Sequence, residues 1–197
     1  RFVVAPTRSV ADTLTRYFPE LRATVIPHGI DLGRIRSSPP AAVDGGSLPA
    51  AMPQPAPLEA GSATPSMFAV EAADGRLVVG VVGALGPHKG ARRLERLVAR
   101  ARERSLPLRF VLIGYTDVAR AAYPWHDPDG TLVVHGPYDR AELGPLLDRY
   151  HVRLVLFPAA APETFSYALS EVWALGRPVV SPPFGALRER VEASGAG

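Results

Sequence analysis

The segment LVVGVVG at residues 77–83, followed directly by ALGPHKG at residues 84–90, decides how this sequence folds. The first part is apolar on both faces of an extended chain, which is typical of a strand buried inside a sheet. The second part is a glycine-rich turn, and it leads into residues 91–105, where apolar side chains recur at helical spacing. A buried strand, a tight turn and a helix together predict one repeat of a parallel α/β sheet.

The same alternation continues from this repeat toward the C-terminus. Further strands are predicted at residues 108–114, 131–135, 152–157 and 178–180. Helices are predicted at residues 140–150 and 164–175, and another begins at residue 186. Because apolar strands that alternate with helices pack as a sheet covered on both faces, we expect an α/β fold with a Rossmann-like parallel sheet.

The region before this sheet divides into two parts. Residues 1–32 predict a strand at 2–5, a helix at 10–17 with Ser9 as its N-cap, and a strand at 24–27. Residues 33–75 are rich in Ala, Pro, Gly and Ser and show no persistent periodicity. Such a composition predicts a flexible linker, with one helical turn near residues 68–73.

Composition excludes several classes of protein. The absence of cysteine rules out disulfides and Cys-based metal sites, and a net charge of +3 without a basic tract argues against nucleic-acid binding. The N-terminus lacks a secretory signal, and the longest apolar run, residues 77–85, is too short to span a bilayer. We therefore expect a cytoplasmic protein. The start at Arg1 and the abrupt end at Gly197 lead us to expect a fragment of a longer chain.

The turn at residues 83–90 lies where a strand ends and a helix begins, which is where parallel sheets bind their ligands. Its glycines would let the backbone approach a diphosphate, and Lys89, the only lysine in the sequence, would add a positive charge. The alternative is an ordinary tight turn with a solvated lysine. The glycine spacing does not match a dinucleotide-binding loop, and His88 stands where a P-loop requires glycine before its lysine.

A second loop, PAAAPETFS at residues 158–166, ends an apolar strand and starts the helix predicted over residues 164–175. Glu171 has apolar neighbours on this helix, and a buried carboxylate requires partners such as the vicinal hydroxyls of a ribose. The alternative places Glu171 on the one exposed stripe of the helix. A continuous helix would separate Glu163 from Glu171 by ~12 Å. The carboxylates of a retaining hydrolase lie roughly 5 Å apart, so the two glutamates are expected to bind two ends of one long ligand.

Three motifs together carry a resemblance to a known family. PETFSYALSE at residues 162–171, with ALGRPVV at residues 174–180, resembles the E-x7-E signature of retaining GT-B glycosyltransferases of the group 1, or family 4, type. Residues 83–90 resemble the G-R-x4-K-G loop of that family, and residues 25–31 resemble its I-P-N-G-V-D segment. The resemblance implies that residues 76–197 are the C-terminal, nucleotide-sugar-binding domain, truncated at its C-terminus. Residues 1–32 would enter from an N-terminal half that is missing.

The resemblance also implies roles for individual residues. Glu163 and Lys89 would be catalytic, with Glu163 on the hydroxyls of the donor sugar and Lys89 on the diphosphate. Glu171 would bind the ribose, and the amides of Phe165 and Ser166 would face phosphate. The other substrate-binding residues that it implies are Thr164, Gly83, Gly86 and His88, with Gly114, Tyr115, Gly136 and Tyr138 near the base.

The implied activity is hexosyl transfer, with retention, from a nucleoside diphosphate sugar to an unknown glycan or lipid-linked acceptor. No cofactor and no metal are expected, and a position at the inner membrane face stays open. Ala84 and His28 depart from the family pattern, which has Arg and Asn there, and compensation by Arg92 or Arg93 is left open. Alternatives are a GT-B-like sugar-nucleotide epimerase and a non-enzymatic binding module. The fragment alone is expected to be inactive.

One further motif suggests a metal but has a simpler interpretation. Asp127-Pro128-Asp129 matches the D-x-D of metal-dependent glycosyltransferases, which have a different fold. Here it is followed by Gly130, and Asp, Pro and Gly are turn-forming residues, so we predict a turn.

Overall fold

A computed structural model describes residues 2–29, 74–118, 120 and 122–195 of the 197-residue chain. The predicted linker from residue 33 to residue 73, the helical turn predicted at 68–73, and Ile30 and Asp31 of the third motif lie outside the described residues. Within those residues, no helix combines the length and the hydropathy that crossing a bilayer requires.

The N-terminal unit consists of β1 (Phe2–Ala5), α1 (Arg8–Tyr17) and β2 (Arg22–Val25). The two strands pair in parallel over their whole length, with Phe2 opposite Arg22. This order confirms the predicted strand, helix and strand, but two details were wrong. The N-cap of α1 is Thr7 and not Ser9, because the Thr7 hydroxyl accepts the hydrogen bond from the amide of Val10 at 3.4 Å. The second strand lies two residues earlier than predicted, in register with β1.

The main sheet has six strands in the part of the chain that the structure describes: β3 (Leu77–Val82), β4 (Leu108–Ile113), β5 (Trp125–His126), β6 (Leu132–Val134), β7 (Leu154–Leu156) and β8 (Val179–Val180). Their order in the sheet is β5-β6-β4-β3-β7-β8. All neighbours are parallel except β5, which runs antiparallel to β6. This confirms the predicted α/β class. The edge strand β5 has two residues, too few for a periodicity, and was not predicted.

Helices cover both faces of this sheet, as predicted. Alternate residues of β3 point to opposite sides, so Val79 and Val81 join one apolar cluster while Val78 and Val82 join the other. The helices are α2 (Ala91–Glu103), α3 (Leu143–Arg149), which follows a 3-10 turn at Arg140–Glu142, α4 (Tyr167–Ala174) and α5 (Gly185–Ser194). The first cluster packs against α2, and the second packs against α3, α4 and α5.

The start of α4 differs from the prediction in a way that affects the site. The helix predicted from residue 164 begins at Tyr167, because Ser166 has a φ of +69° and a right-handed helix excludes positive φ. Residues 163–166 are therefore a loop and not the first turn of a helix. The ~12 Å helical separation that was expected between Glu163 and Glu171 loses its basis.

The sheet reverses its order at β3. From β3 the chain adds β4 and β6 on one side, and then returns to add β7 and β8 on the other. The loops that follow β3 and β7 consequently diverge and leave a crevice at the carboxyl ends of the two strands. This is the position at which parallel α/β sheets bind their ligands.

Candidate functional site

A cavity of about 430 Å³ occupies the crevice between the loops that follow β3 and β7. One wall is the turn after β3 and the other is the loop after β7. Of the residues predicted for the site, those that line this cavity are Gly83, His88, Lys89, Glu163, Thr164, Phe165 and Ser166. Gly86, Gly114, Tyr115, Gly136, Tyr138 and Glu171 do not line it.

The turn after β3 is tight and is docked onto the opposite loop. The carbonyl oxygen of Gly86 accepts hydrogen bonds from the amides of Lys89 at 3.1 Å and Ala91 at 3.2 Å. The carbonyl oxygen of His88 accepts from two successive amides of the other loop, those of Ala160 and Ala161. None of the described carboxylates pairs with the exposed Lys89. Its ammonium group therefore lies at the cavity without a protein counter-ion in the described part of the chain.

Gly90 lets the two loops approach each other. Its φ is +96°, in the left-handed region that side chains disfavour, and a β-carbon there would overlap the carbonyl oxygen of Pro158. Both the backbone conformation and the contact require glycine at this position. The width of the cavity thus depends on the absence of a single side chain.

The loop after β7 directs its carbonyl groups away from the cavity. The oxygen of Glu163 accepts from the amide of Ala186 at 3.2 Å, and that of Thr164 from the Thr7 hydroxyl at 3.0 Å. The Arg190 guanidinium donates to the oxygens of the next two residues, Phe165 and Ser166, each at 2.8 Å. No group in the described residues accepts a hydrogen bond from the amide of Phe165 or Ser166. Free amides just before a helix favour an anion.

Glu171 lies outside the cavity, in a second cluster of polar residues. It is buried, and its Oε1 lies 2.8 Å from Nε of Arg140, in the 3-10 turn after β6. Burial, together with the Glu171 carboxylate, raises the pKa of the neighbouring Tyr138 to about 12. The alternative of an exposed Glu171 is therefore wrong. Sequence reasoning missed Arg140, although a basic residue beside the predicted base site was a usable signal.

Glycines connect the two clusters along the carboxyl edge of the sheet. Gly83, Gly114 and Gly136 end β3, β4 and β6, and each has a positive φ. Gly83 donates to the Ile113 carbonyl, and Gly136 donates to that of Gly114, both at 2.9 Å. A β-carbon on Gly114 would overlap the carbonyl oxygen of Gly83. Gly83 and Gly114 thus pack backbone to backbone, whereas the Tyr123 ring lies against Gly136, and Tyr115 is exposed beside this edge.

The family model described as "Glycosyl transferases group 1" matches residues 76–197. The chain belongs to this family. No curated protein sequence matches the chain significantly.

The fold of the chain matches solved structures of GT-B glycosyltransferases. One is HepE from Anabaena, which was solved in complex with UDP and glucose and also with UDP-glucose. It is 18 % identical to this chain, with a TM-score of 0.57, and the match covers 95 % of this chain and 46 % of HepE. The catalytic domain of starch synthase IV from Arabidopsis thaliana, bound to ADP and acarbose, is 16 % identical with a TM-score of 0.53, over 95 % and 40 % of the two chains. The chain thus spans less than half the length of these structures.

Neither Arg92 nor Arg93, the two candidates to compensate for Ala84, lines the cavity. Ala84 is exposed, and the nearby Arg93 donates to the carbonyl oxygen of Ala159 and lies 5.8 Å from the Phe184 ring centroid. Arg93 supports the loop after β7 and is not directed at the cavity turn. Arg92 is exposed on α2.

The Asp127-Pro128-Asp129 segment forms a turn, as predicted. The amide of Gly130 donates to the carbonyl oxygen of Asp127 at 3.1 Å. Both aspartates pair with Arg102 of α2, with Asp129 at 2.7 Å. Within the described ranges, no three His, Asp or Glu side chains are grouped as metal ligands.

His135, which follows β6, should make the folding stability of the chain depend on pH. Its Nδ1 lies 2.9 Å from the Tyr150 hydroxyl, and burial, reinforced by Arg149, lowers its pKa below 6.5. The unfolded chain therefore binds the proton first as the pH falls through about 6.5, so folding stability decreases there. His135→Gln should reduce this loss, as measured by urea unfolding at pH 7.5 and pH 5.5. An equal loss in both proteins would contradict the assignment.

Proposed function

We propose that residues 76–197 are the C-terminal, donor-binding domain of a glycosyltransferase that transfers a hexosyl group from a nucleoside diphosphate sugar with retention. The observation that carries the proposal is the cavity at the reversal of the sheet. It has an unpaired lysine among the described residues on one wall and free amides on the other. Complexes of the structurally similar proteins with UDP-glucose and with ADP support this class of donor.

Each part of the donor has a chemically suitable partner. Lys89 and the amides of Phe165 and Ser166 bind the diphosphate. Glu163, which lies on the same cavity wall as these amides, binds hydroxyls of the sugar. Glu171 accepts from the ribose while Arg140 holds its other oxygen. The base lies over the glycine edge between the loops of Tyr115 and Tyr138.

The reaction needs stabilisation of a departing phosphate group more than it needs a proton donor. Negative charge develops on the diphosphate as the glycosidic bond breaks. Amides that are already fixed in place and a cation with no other partner in the described residues stabilise such charge without reorganisation. Retention is supported by the E-x7-E resemblance, and we expect NMR of the first-formed sugar product to show the anomeric configuration of the donor.

The N-terminal unit supports the proposal of a missing acceptor half. Its two parallel strands leave Phe2 82 % and Val4 64 % exposed, whereas parallel sheets are normally covered on both faces. A further sheet and its helices would cover these side chains and would present the glycan or lipid-linked acceptor. We retain, as proposals, a cytoplasmic location and a peripheral position at the inner membrane face.

One observation favours a second function. The loss of arginine at Ala84, with Arg93 engaged elsewhere, leaves one phosphate cation fewer than the family pattern. A binding module without transferase activity requires less charge stabilisation than an enzyme. Such a module would bind nucleoside diphosphates but leave the donor sugar intact.

Lys89→Ala tests the proposal on the chain itself. We expect calorimetric titration of UDP, ADP and GDP to show that one of them binds the wild type at millimolar concentration or below. Since a hydrogen bond to a charged group contributes about 1.5–3 kcal/mol, the substitution should weaken that ligand by about 10–100-fold. Arg92→Ala, an exposed residue of the same charge nearby, should change nothing. Equal affinity in wild type and Lys89→Ala would contradict the site.

A further inference from the structure

The carbonyl groups of the loop at residues 163–166 accept hydrogen bonds from side chains that lie outside the E-x7-E motif. Arg190, on α5, donates through one nitrogen to both the Phe165 and the Ser166 carbonyl oxygens. Its other terminal nitrogen donates to the Ser170 hydroxyl on α4. The planar guanidinium also stacks on the Phe165 ring, 4.1 Å from its centroid, and lies 5.4 Å from that of Trp173. One side chain thus fixes the loop, its aromatic residue and the helix that follows.

The hydrogen bonds from Arg190 explain why Ser166 keeps a positive φ, which a serine ordinarily avoids. A non-glycine residue in the left-handed region costs of order 1–3 kcal/mol and persists only where its surroundings impose it. Here both flanking carbonyl groups are fixed by the same guanidinium. Because a peptide's carbonyl and amide point in opposite directions, the Phe165 and Ser166 carbonyls that face Arg190 turn the amides of Ser166 and Tyr167 away from it, and both residues line the cavity. The Thr164 carbonyl orients the Phe165 amide in the same way.

A second contact comes from the N-terminal unit. The hydroxyl of Thr7, a residue only 3 % exposed, donates to the Thr164 carbonyl oxygen at 3.0 Å. The same unit is tied to α5 by Glu189, whose carboxylate oxygens accept from the amides of Arg8 and Ser9, each at 2.8 Å. Glu189 and Arg190 are consecutive, so one turn of α5 contacts both the start of α1 and the loop at residues 163–166.

We propose that Arg190 and Thr7 are positioning residues that set the amides of the loop at residues 163–166 against the donor diphosphate. The loop is thereby coupled to the N-terminal unit, and displacement of α1 would reorient the phosphate-facing amides. This deepens the proposed function and rests on it for the identity of the ligand. Neither residue touches the donor, and both act through backbone carbonyl groups.

The first test measures the loop without any ligand. Hydrogen–deuterium exchange of the chain should show at least a 10-fold faster exchange in Arg190→Gln and in Thr7→Val than in the wild type. The reporting amides are those of residues 170–172, the first that are bonded within α4, and that of Ala186, which is bonded to the Glu163 carbonyl oxygen. Arg188→Gln and Thr13→Val are matched controls, because Arg188 pairs with Glu192 and the Thr13 hydroxyl donates to Ser9. Thr7→Ser keeps the hydroxyl and should restore wild-type exchange. Unchanged exchange in Arg190→Gln and Thr7→Val would overturn the proposal.

The second test separates positioning from general loss of structure. The first ligand is whichever of UDP, ADP and GDP binds the wild type best, and its affinity is measured by calorimetry. The second ligand is the corresponding nucleoside, and its affinity is measured by ligand-detected NMR. Arg190→Gln should weaken the diphosphate at least 10-fold and leave nucleoside affinity unchanged, and Arg190→Lys should recover part of the loss. An equal loss for both ligands would overturn the positioning role.

The two tests also separate this proposal from the proposed function. If the wild type binds none of the three nucleotides, the donor site is wrong, and the exchange measurement alone decides whether Arg190 and Thr7 hold the loop. If Arg190→Gln does not fold, Thr7→Val and Arg190→Lys provide both measurements.

Discussion

Glu171→Gln should weaken binding of the nucleoside diphosphate by about 10–100-fold, the effect of losing a hydrogen bond to a charged acceptor, which contributes about 1.5–3 kcal/mol. The carboxylate is buried with one oxygen held by Arg140, and its other oxygen is the acceptor that we assign to the ribose. Because Arg140 is 44 % exposed, loss of the ion pair should lower the free energy of unfolding by only about 1 kcal/mol or less. Calorimetry and urea unfolding measure the two effects.

A 2′-deoxynucleotide makes the same test specific for the ribose. The wild type should bind the ribose form about 10–100-fold more tightly than the deoxy form, and Glu171→Gln should bind the two almost equally. Glu192→Gln, an exposed glutamate on α5, should behave as the wild type. An undiminished preference for ribose in Glu171→Gln would show that Glu171 is only the structural partner of Arg140.

Gly90→Ala should be the most destabilising single substitution considered, at about 2–6 kcal/mol. A non-glycine residue at positive φ costs ~1–3 kcal/mol, and overpacking against the Pro158 carbonyl adds ~1–3 kcal/mol. Separation of the two loops should also weaken nucleotide binding. Urea unfolding and calorimetry of the same sample provide both measurements.

Gly176 provides a matched control for this substitution. Its φ is +68°, but nothing lies within 4 Å of the position that a β-carbon would occupy. Gly176→Ala should therefore show the backbone cost without the clash, and nucleotide binding should be unchanged. Equal destabilisation by the two substitutions would mean that the loops are not packed as closely at Gly90 as the structure shows.

The sequence was sufficient for the features that depend on local pattern. Continuous apolar runs predicted the parallel strands, and their alternation with helices predicted where the cavity lies. The glycine-rich sequence at residues 83–90 allowed two interpretations, an ordinary tight turn and a phosphate site. The structure shows that the turn is tight. It also places Lys89 at the cavity, and the titration of Lys89→Ala decides whether phosphate binds there.

The features that the sequence did not predict depend on contacts between distant residues. The late start of α4 follows from Ser166, whose conformation is held by Arg190, 24 residues later in the chain. Thr7 bonds to a residue 157 positions away, and Arg140 pairs with Glu171 on another helix. Helical propensity alone predicts continuation through residues 164–166, since nothing in that segment is a helix breaker.

The most direct test of the donor site is a structure of the chain with the nucleoside diphosphate that binds best. We predict that the β-phosphate lies within hydrogen-bonding distance of Lys89 Nζ and of the amides of Phe165 and Ser166, with the ribose on Glu171. A diphosphate bound elsewhere, for example in the separate cavity of about 610 Å³ beside Trp173, would contradict the assignment.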